Sequence, residues 1–253
     1  HVVPVMTEDA TRFVGAVTFS ALASEPVRRS LWDEPDPIPH TRLGQQADVI
    51  VVALLVCTGC VPRLGPLRGT PVPARFPETT LGGPHRRIVF HWELNGPALV
   101  ARGDGAVRIA PPDSARFDFF LAGGSGGGAA ALVGGTLRLP GEDAAAGFVP
   151  TPPLLWAALG RLALPPTADT VARLDGTTLR ADIGRPVEWR VTFVQGSLRR
   201  LERVHDGRVL EWVTRTADGR IRYHDESDRR TLDLVITTSA DTGPFDDTLW
   251  SFP

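Results

Sequence analysis

The chain has 253 residues, 42% of them hydrophobic and 22% charged, with a formal net charge of -2. These totals suit one large domain or two small ones with a packed core, and they leave no global field to draw nucleic acid or an anionic membrane surface. All 27 basic residues are arginine, which removes Schiff-base, P-loop and general-base lysine chemistry, and two cysteines cannot build a disulfide framework. No apolar run approaches the ~20 residues of a transmembrane helix. The chain opens on His1 rather than Met, which reads as a fragment or a processed product.

Val2–Val5 is a short apolar run that predicts a strand. Thr7 is a good N-cap, and Glu8 and Asp9 sit where a helix dipole favours negative charge, so a helix is expected to start near Glu8. Val17–Ala23 predicts a second short helix, Asp33–Pro39 a proline-broken loop, Thr41–Ala47 a helical turn and Val49–Val52 a buried β-branched strand. Strand–helix–strand order with continuous apolar strands predicts α/β structure with parallel pairing. The stretch VxxVMTEDATRFV…TFSALASEPV…IPHTRLGQQADVIVVA, Val2 to Ala53, resembles the flavoprotein family of phosphopantothenoylcysteine decarboxylase, the decarboxylase half of the CoaBC enzymes. The resemblance implies that Thr7 lies near an FMN site and that His40 descends from the active-site histidine. Taken alone, His40 reads as a loop histidine after a proline. The family also needs an earlier strand and a glycine-rich phosphate loop. Residues 1–53 therefore read as a truncated flavodoxin-like fragment, an inactive remnant that needs no cofactor. The alternative is a working FMN-dependent decarboxylase of coenzyme A biosynthesis.

The apolar run Val49–Val56 ends in Cys57-Thr58-Gly59-Cys60. A redox C-x-x-C should open a helix, and Val61-Pro62-Arg63-Leu64-Gly65-Pro66 cannot be that helix. A zinc site needs two further ligands at finger-like spacing, for which His85 and His91 are poor substitutes. The third reading is an export signal: Leu54–Pro62 resembles a bacterial lipobox, with Cys60 as the lipid anchor. A basic segment should precede such a signal, whereas Gln45-Gln46-Ala47-Asp48 does. The segment thus reads as a seam between two coding segments near Val52–Leu54. Residues 54–86 are expected to form the lipobox-like segment and a Pro/Gly/Arg-rich tether.

From Arg87 onward short strand-like runs recur: Arg87–Leu94, Ala98–Arg102, Ala106–Ala110, Ala115–Ala122, Thr136–Leu139, Thr178–Ile183, Val187–Val194, Ser197–Val204, Arg208–Thr216, Arg220–His224 and Thr231–Thr237. Asp-Gly pairs at Asp104, Asp175, Asp206 and Asp218 fall between or beside them, the strongest short-range hairpin signal. Pro152–Leu162 predicts a helix, with proline at its start and leucines along one face. The expected fold is α+β: a mainly antiparallel curved sheet, a half-open barrel with one or two helices, preceded by the partial α/β segment. Residues 87–253, with the lipobox, the FHWEL…ARGDGAVRIAPPDSARFDFFL opening, the PPLLWAALG helix and the GRVLEWVTR…IRYHD meander, resemble the LolA/LolB-like lipoproteins. That resemblance implies a lipid or acylated ligand, the periplasmic face of the outer membrane, and a possible envelope protein partner. Trp92, Phe119, Leu155, Trp156, Trp189 and Trp212 are expected either to be ordinary core aromatics or to line an apolar ligand pocket. The glycine-rich string after Phe119 lacks room for a dinucleotide-fold helix and reads as a flexible loop. Asp225, Glu226 and Asp228 beside Arg222, Arg229 and Arg230 read as a solvated, charge-compensated turn. No nucleophile–base–orienter set, metal site or nucleic-acid surface is evident.

Overall fold

The computed structural model describes residues 1–6, 15–28, 63–97, 99–124, 126–141 and 149–252. The chain divides into two compact units, His1–Cys57 and Thr58–Pro253. In the first, α1 (Ala16–Leu22) forms where the second short helix is predicted, and it stops where Ala23 turns extended ahead of Pro26. The Val2–Val5 strand reduces to one parallel bridge, Val5 to Arg28, held by Met6 N–H to the Arg28 carbonyl and Arg28 N–H to the Pro4 carbonyl, both 2.9 Å. Pro4 has no N–H to extend that ladder. The predicted helix from Glu8, the Thr41–Ala47 turn and the Val49–Val52 strand lie outside the described residues.

The second unit is a 13-stranded sheet in which every described neighbour pairs antiparallel. Its strands are β1 (Thr70–Val72), β2 (His85–Asn95), β3 (Val100–Ala110), β4 (Ser114–Leu121), β5 (Gly127–Val133), β6 (Thr136–Arg138), β7 (Val171–Asp175), β8 (Thr178–Ile183), β9 (Trp189–Val194), β10 (Ser197–His205), β11 (Arg208–Arg215), β12 (Arg220–Asp225) and β13 (Arg230–Thr242). Two meanders, β7 to β13 and β2 to β6, join through the long β13–β2 pairing that runs from Thr231 opposite Asn95 to Thr242 opposite His85. β1 adds to β7 at one edge and β6 ends the other, so the sheet does not close. Asp206 and Gly207 both take positive φ, 48° and 69°, as a two-residue hairpin turn between right-twisted strands requires.

A flat sheet of this width would span roughly 60 Å. One seven-residue helix, α2 (Pro152–Ala158), nevertheless packs into both halves of it. Leu154 and Ala157 meet Ala172, Ile183, Val191, Phe193, Leu201 and Val213. Leu155 and Trp156 meet Phe90, Trp92, Val107, Phe117 and Leu132. Leu232 and Leu234 of β13 touch both clusters, so the sheet curls around the helix and the core lies on its inner face.

Several elements differ from their sequence pattern. Ala98–Arg102 and Ala106–Ala110 merge into one strand, because Gly105 turns its bare Cα to the Phe90 ring; a Cβ there would lie 2.3 Å from that ring. Asp104-Gly105 is thus a strand interior rather than a turn. Gly127 and Gly128, read as loop, begin β5, and the turn before it is made by Gly123, Gly124 and Gly126 at positive φ. The Pro/Gly/Arg-rich tract is pinned from Arg63 on. Arg63 bridges to Arg208, Arg190 donates to the Gly65 carbonyl at 2.7 Å, and Val72, Ala74 and Phe76 pack on the core. β1 and β7 carry too few residues to show periodicity and escaped the sequence pattern. α2 ends before Leu162, since Gly160 at φ +92° breaks it.

Candidate functional site

Pro152 and Pro153 open α2 at no hydrogen-bond cost, and the N–H groups of Leu154 and Leu155 reach back to the Thr151 carbonyl at 2.9 and 3.1 Å. Leu154, Leu155, Trp156 and Ala157 are all buried. Trp156 donates its indole N–H to the Gly134 carbonyl at 2.7 Å, and the Arg161 guanidinium lies 4.6 Å from its ring centre. Arg215 donates to the Ala158 carbonyl and so ties the end of the helix to β11. Burial, with a lesser push from Arg199, lowers its pKa.

Four of the six aromatic and aliphatic candidates meet here: Trp92, Phe119, Leu155 and Trp156 belong to one cluster, with the Trp92 and Phe119 rings edge to face at 5.7 Å. Trp189 packs on the other half of the inner face. Trp212 does not join them. Val209 and Val213 point inward, so strand alternation turns Trp212 outward. There it lies between the Arg200 guanidinium, 4.3 Å from its centre, and the His224 ring at 5.3 Å. The same alternation, read from Val209 and Val213, was the signal that could have placed it.

One end of the inner face is polar and was missed. Glu211 accepts from Tyr223 Oη at 3.1 Å and from Arg203, and Asp225 binds Arg230 at 3.0 Å. Asp225 is therefore a buried residue at 8% exposure and not part of a solvated turn; Asp228, at the same turn, stays exposed. Burial pushes the Asp225 carboxyl up. The Asp228 N–H, Arg230 and the Ser227 N–H outweigh this, so its pKa is lowered. That interaction adds stability above the ordinary carboxylate range and loses it as pH falls through the lowered value. Tyr223 moves the other way: burial first, then the charges of Glu211 and Asp225, raise its pKa far above the usual phenol value. Tyr223 is the chain's one tyrosine. Tyrosinate absorbance should therefore stay absent as pH rises past about 10 and appear only together with loss of the fold. A reversible, native-state titration near that pH would contradict this. The raised value contributes stability that is present below the ordinary phenol pKa and is lost as pH rises toward the folded one.

The outer face carries a cleft of about 720 Å³ across β11, β12, β13, β2 and β3. Register aligns Arg222, Asp233, Glu93 and Arg102 in one row. The next row holds Arg220, Val235, His91 and Asp104. Arg222 grips Asp233 with two bonds, 2.6 and 3.1 Å, and His91 Nδ1 lies 2.5 Å from Asp104.

His40, Thr7 and Cys60 lie outside the described residues. Among the described residues there is no group of three or more metal-ligating side chains, and no helix is long and apolar enough to cross a membrane. The described part of the first unit holds one glycine, Gly15.

No family model matches the chain. It is 36% identical over 110 residues to the coenzyme A biosynthesis bifunctional protein CoaBC of Mycobacterium tuberculosis, 42% of this chain and 26% of that protein. With CoaBC of Mycolicibacterium smegmatis it shares 35% over 116 residues, 44% of this chain and 28% of that protein. The chain thus spans about a quarter of the length of these relatives, and the match is about twice as long as the Val2–Ala53 stretch. A crystal structure of a LolA superfamily protein from Nitrosomonas europaea superposes with a TM-score of 0.42 and 11% identity, over 68% of this chain and 92% of that one. The CoaBC resemblance read from the sequence has counterparts among known proteins.

Proposed function

We propose that the second unit binds a lipid acyl chain or another apolar ligand on the inner face of the sheet, without chemistry, in a bacterial cell envelope. The observation that carries this reading is that both halves of a broad, curled sheet turn apolar faces to one seven-residue helix. Trp92, Phe119 and Trp189 of the sheet are the proposed lining, covered by Leu155 and Trp156 of α2 until a ligand enters, and Cys60 is the proposed membrane anchor. Because α2 fills the face, a ligand must take its place. Uncovering Leu154, Leu155 and Trp156 costs about 5–9 kcal/mol, and an acyl chain returns about 0.8 kcal/mol per CH₂. A chain of about sixteen carbons therefore displaces the helix, and one of about four does not. The full chain, titrated with the fluorescent acid cis-parinaric acid, should bind it saturably. Palmitate should compete and butyrate should not. No binding of the probe would overturn the reading.

The identity to CoaBC favours a second reading, an FMN-dependent decarboxylase with His40 in catalysis and Thr7 near the cofactor. Flavin absorbance in the purified chain, or uptake of added FMN, is the observation that would favour it over the first.

A further inference from the structure

We infer that the outer cleft is a binding site for a neutral, polyhydroxylated ligand, an oligosaccharide. It is separate from the inner face and does not depend on what that face binds. Five strands contribute to it, so it runs roughly 19 Å across the sheet, longer than one sugar ring. Its volume of about 720 Å³ is that of a small-molecule site.

The charge pattern selects the ligand class. Three carboxylates (Glu93, Asp104, Asp233) face three guanidiniums (Arg102, Arg220, Arg222), so the acidic and arginine charges of the lining balance. An anion or a cation of the ligand would meet like charge as often as unlike, and would have to break pairs already made. Asp233 is held by the two-bond grip of Arg222, and Asp104 by His91. These groups are ordered before any ligand arrives, which lowers the cost of binding. A hydroxyl suits such a lining because it donates to a carboxylate and accepts from a guanidinium at once. The Arg102 guanidinium makes no hydrogen bond among the described residues, so its N–H donors are open to a ligand.

The cleft also has surfaces for the C–H faces of a sugar. Val235 is 40% exposed in the row of charged residues, and the arginine stems are apolar along their length. Phe120, 55% exposed, stands opposite Asp104 on the next strand of the same row, where a ring can stack.

The test titrates the full chain by calorimetry with maltotriose, cellotriose and chitotriose, and with inorganic phosphate and glucuronate as charged probes. At least one neutral trisaccharide should bind with a Kd of about 1 mM or tighter, changing less than about twofold from low to high salt. Arg102→Ala should weaken it at least about tenfold, a loss of one charge-assisted contact. Arg180→Ala, on β8 and three strands from β11, the nearest strand of the cleft, should leave it unchanged. The inference is overturned if none of the three sugars binds, if a charged probe binds more tightly than all of them, or if the two variants weaken binding equally.

Discussion

Trp156→Ala is expected to lower the stability of the second unit by about 3–5 kcal/mol, read as a shift in the denaturant midpoint at unchanged slope. The indole is 0% exposed and is the largest fully buried side chain among the described residues. Its removal loses transfer energy, leaves a cavity between α2 and β5, and strands the Gly134 carbonyl that now accepts its N–H. It also removes the ring under Arg161. Trp156→Phe keeps most of the volume and loses the hydrogen bond, so it should cost about 1–2 kcal/mol. A drop below about 1 kcal/mol for the alanine variant would mean that α2 is not seated in the sheet as described. The pair also bears on ligand binding. If an acyl chain takes the place of α2, Trp156→Ala weakens the competitor and should tighten binding of cis-parinaric acid, provided the sheet stays folded.

Gly103→Ala should be almost as damaging. A Cβ at Gly103 would stand 1.8 Å from the Phe120 carbonyl oxygen and 3.0 Å from the Ala122 nitrogen. Both are backbone atoms, so no side chain can swing away, and the β3–β4 pairing must open locally. The expected cost is about 3 kcal/mol or more, at the top of the range for overpacking. Gly128→Ala, on β5, meets nothing within 4 Å and serves as the control, with an expected change near zero. Equal effects of the two substitutions in thermal unfolding would refute the close approach at Gly103. Gly103 also sits behind the outer cleft, so the same variant should disturb oligosaccharide binding through the shape of β3.

The strands were legible where alternation was long. β2, β4, β8, β10, β11 and β12 appear close to their predicted limits, because one face of each is apolar and the other charged. The turns at Asp206-Gly207 and Asp218-Gly219 were legible for a local reason, the positive φ that glycine accepts. β5 was not legible, since its Gly-Gly-Ala-Ala-Ala start resembles a flexible linker and becomes a strand only by pairing with β4. The pinned tract after Arg63 was missed similarly: its partners, Arg190 and Arg208, are over a hundred residues away.

The candidate site was half legible. Residue type alone picked out Trp92, Phe119, Leu155 and Trp156, because large apolar side chains in an amphipathic frame go inside. It could not tell that Trp212 goes outside, which depends on strand parity set by Val209 and Val213. The outer cleft was invisible, since Arg222, Asp233, Glu93 and Arg102 come from four different strands and become a row only in register.

Local chemistry thus accounts for the antiparallel class, the tight turns and the start of α2, because alternation, glycine φ and proline each act within a few residues. Tertiary structure decided the order of the thirteen strands, the curl of the sheet around one helix, the burial of Asp225 and Tyr223, and the charged rows of the outer face. Each of these rests on contacts between residues far apart in the chain, and only the folded sheet brings those residues together.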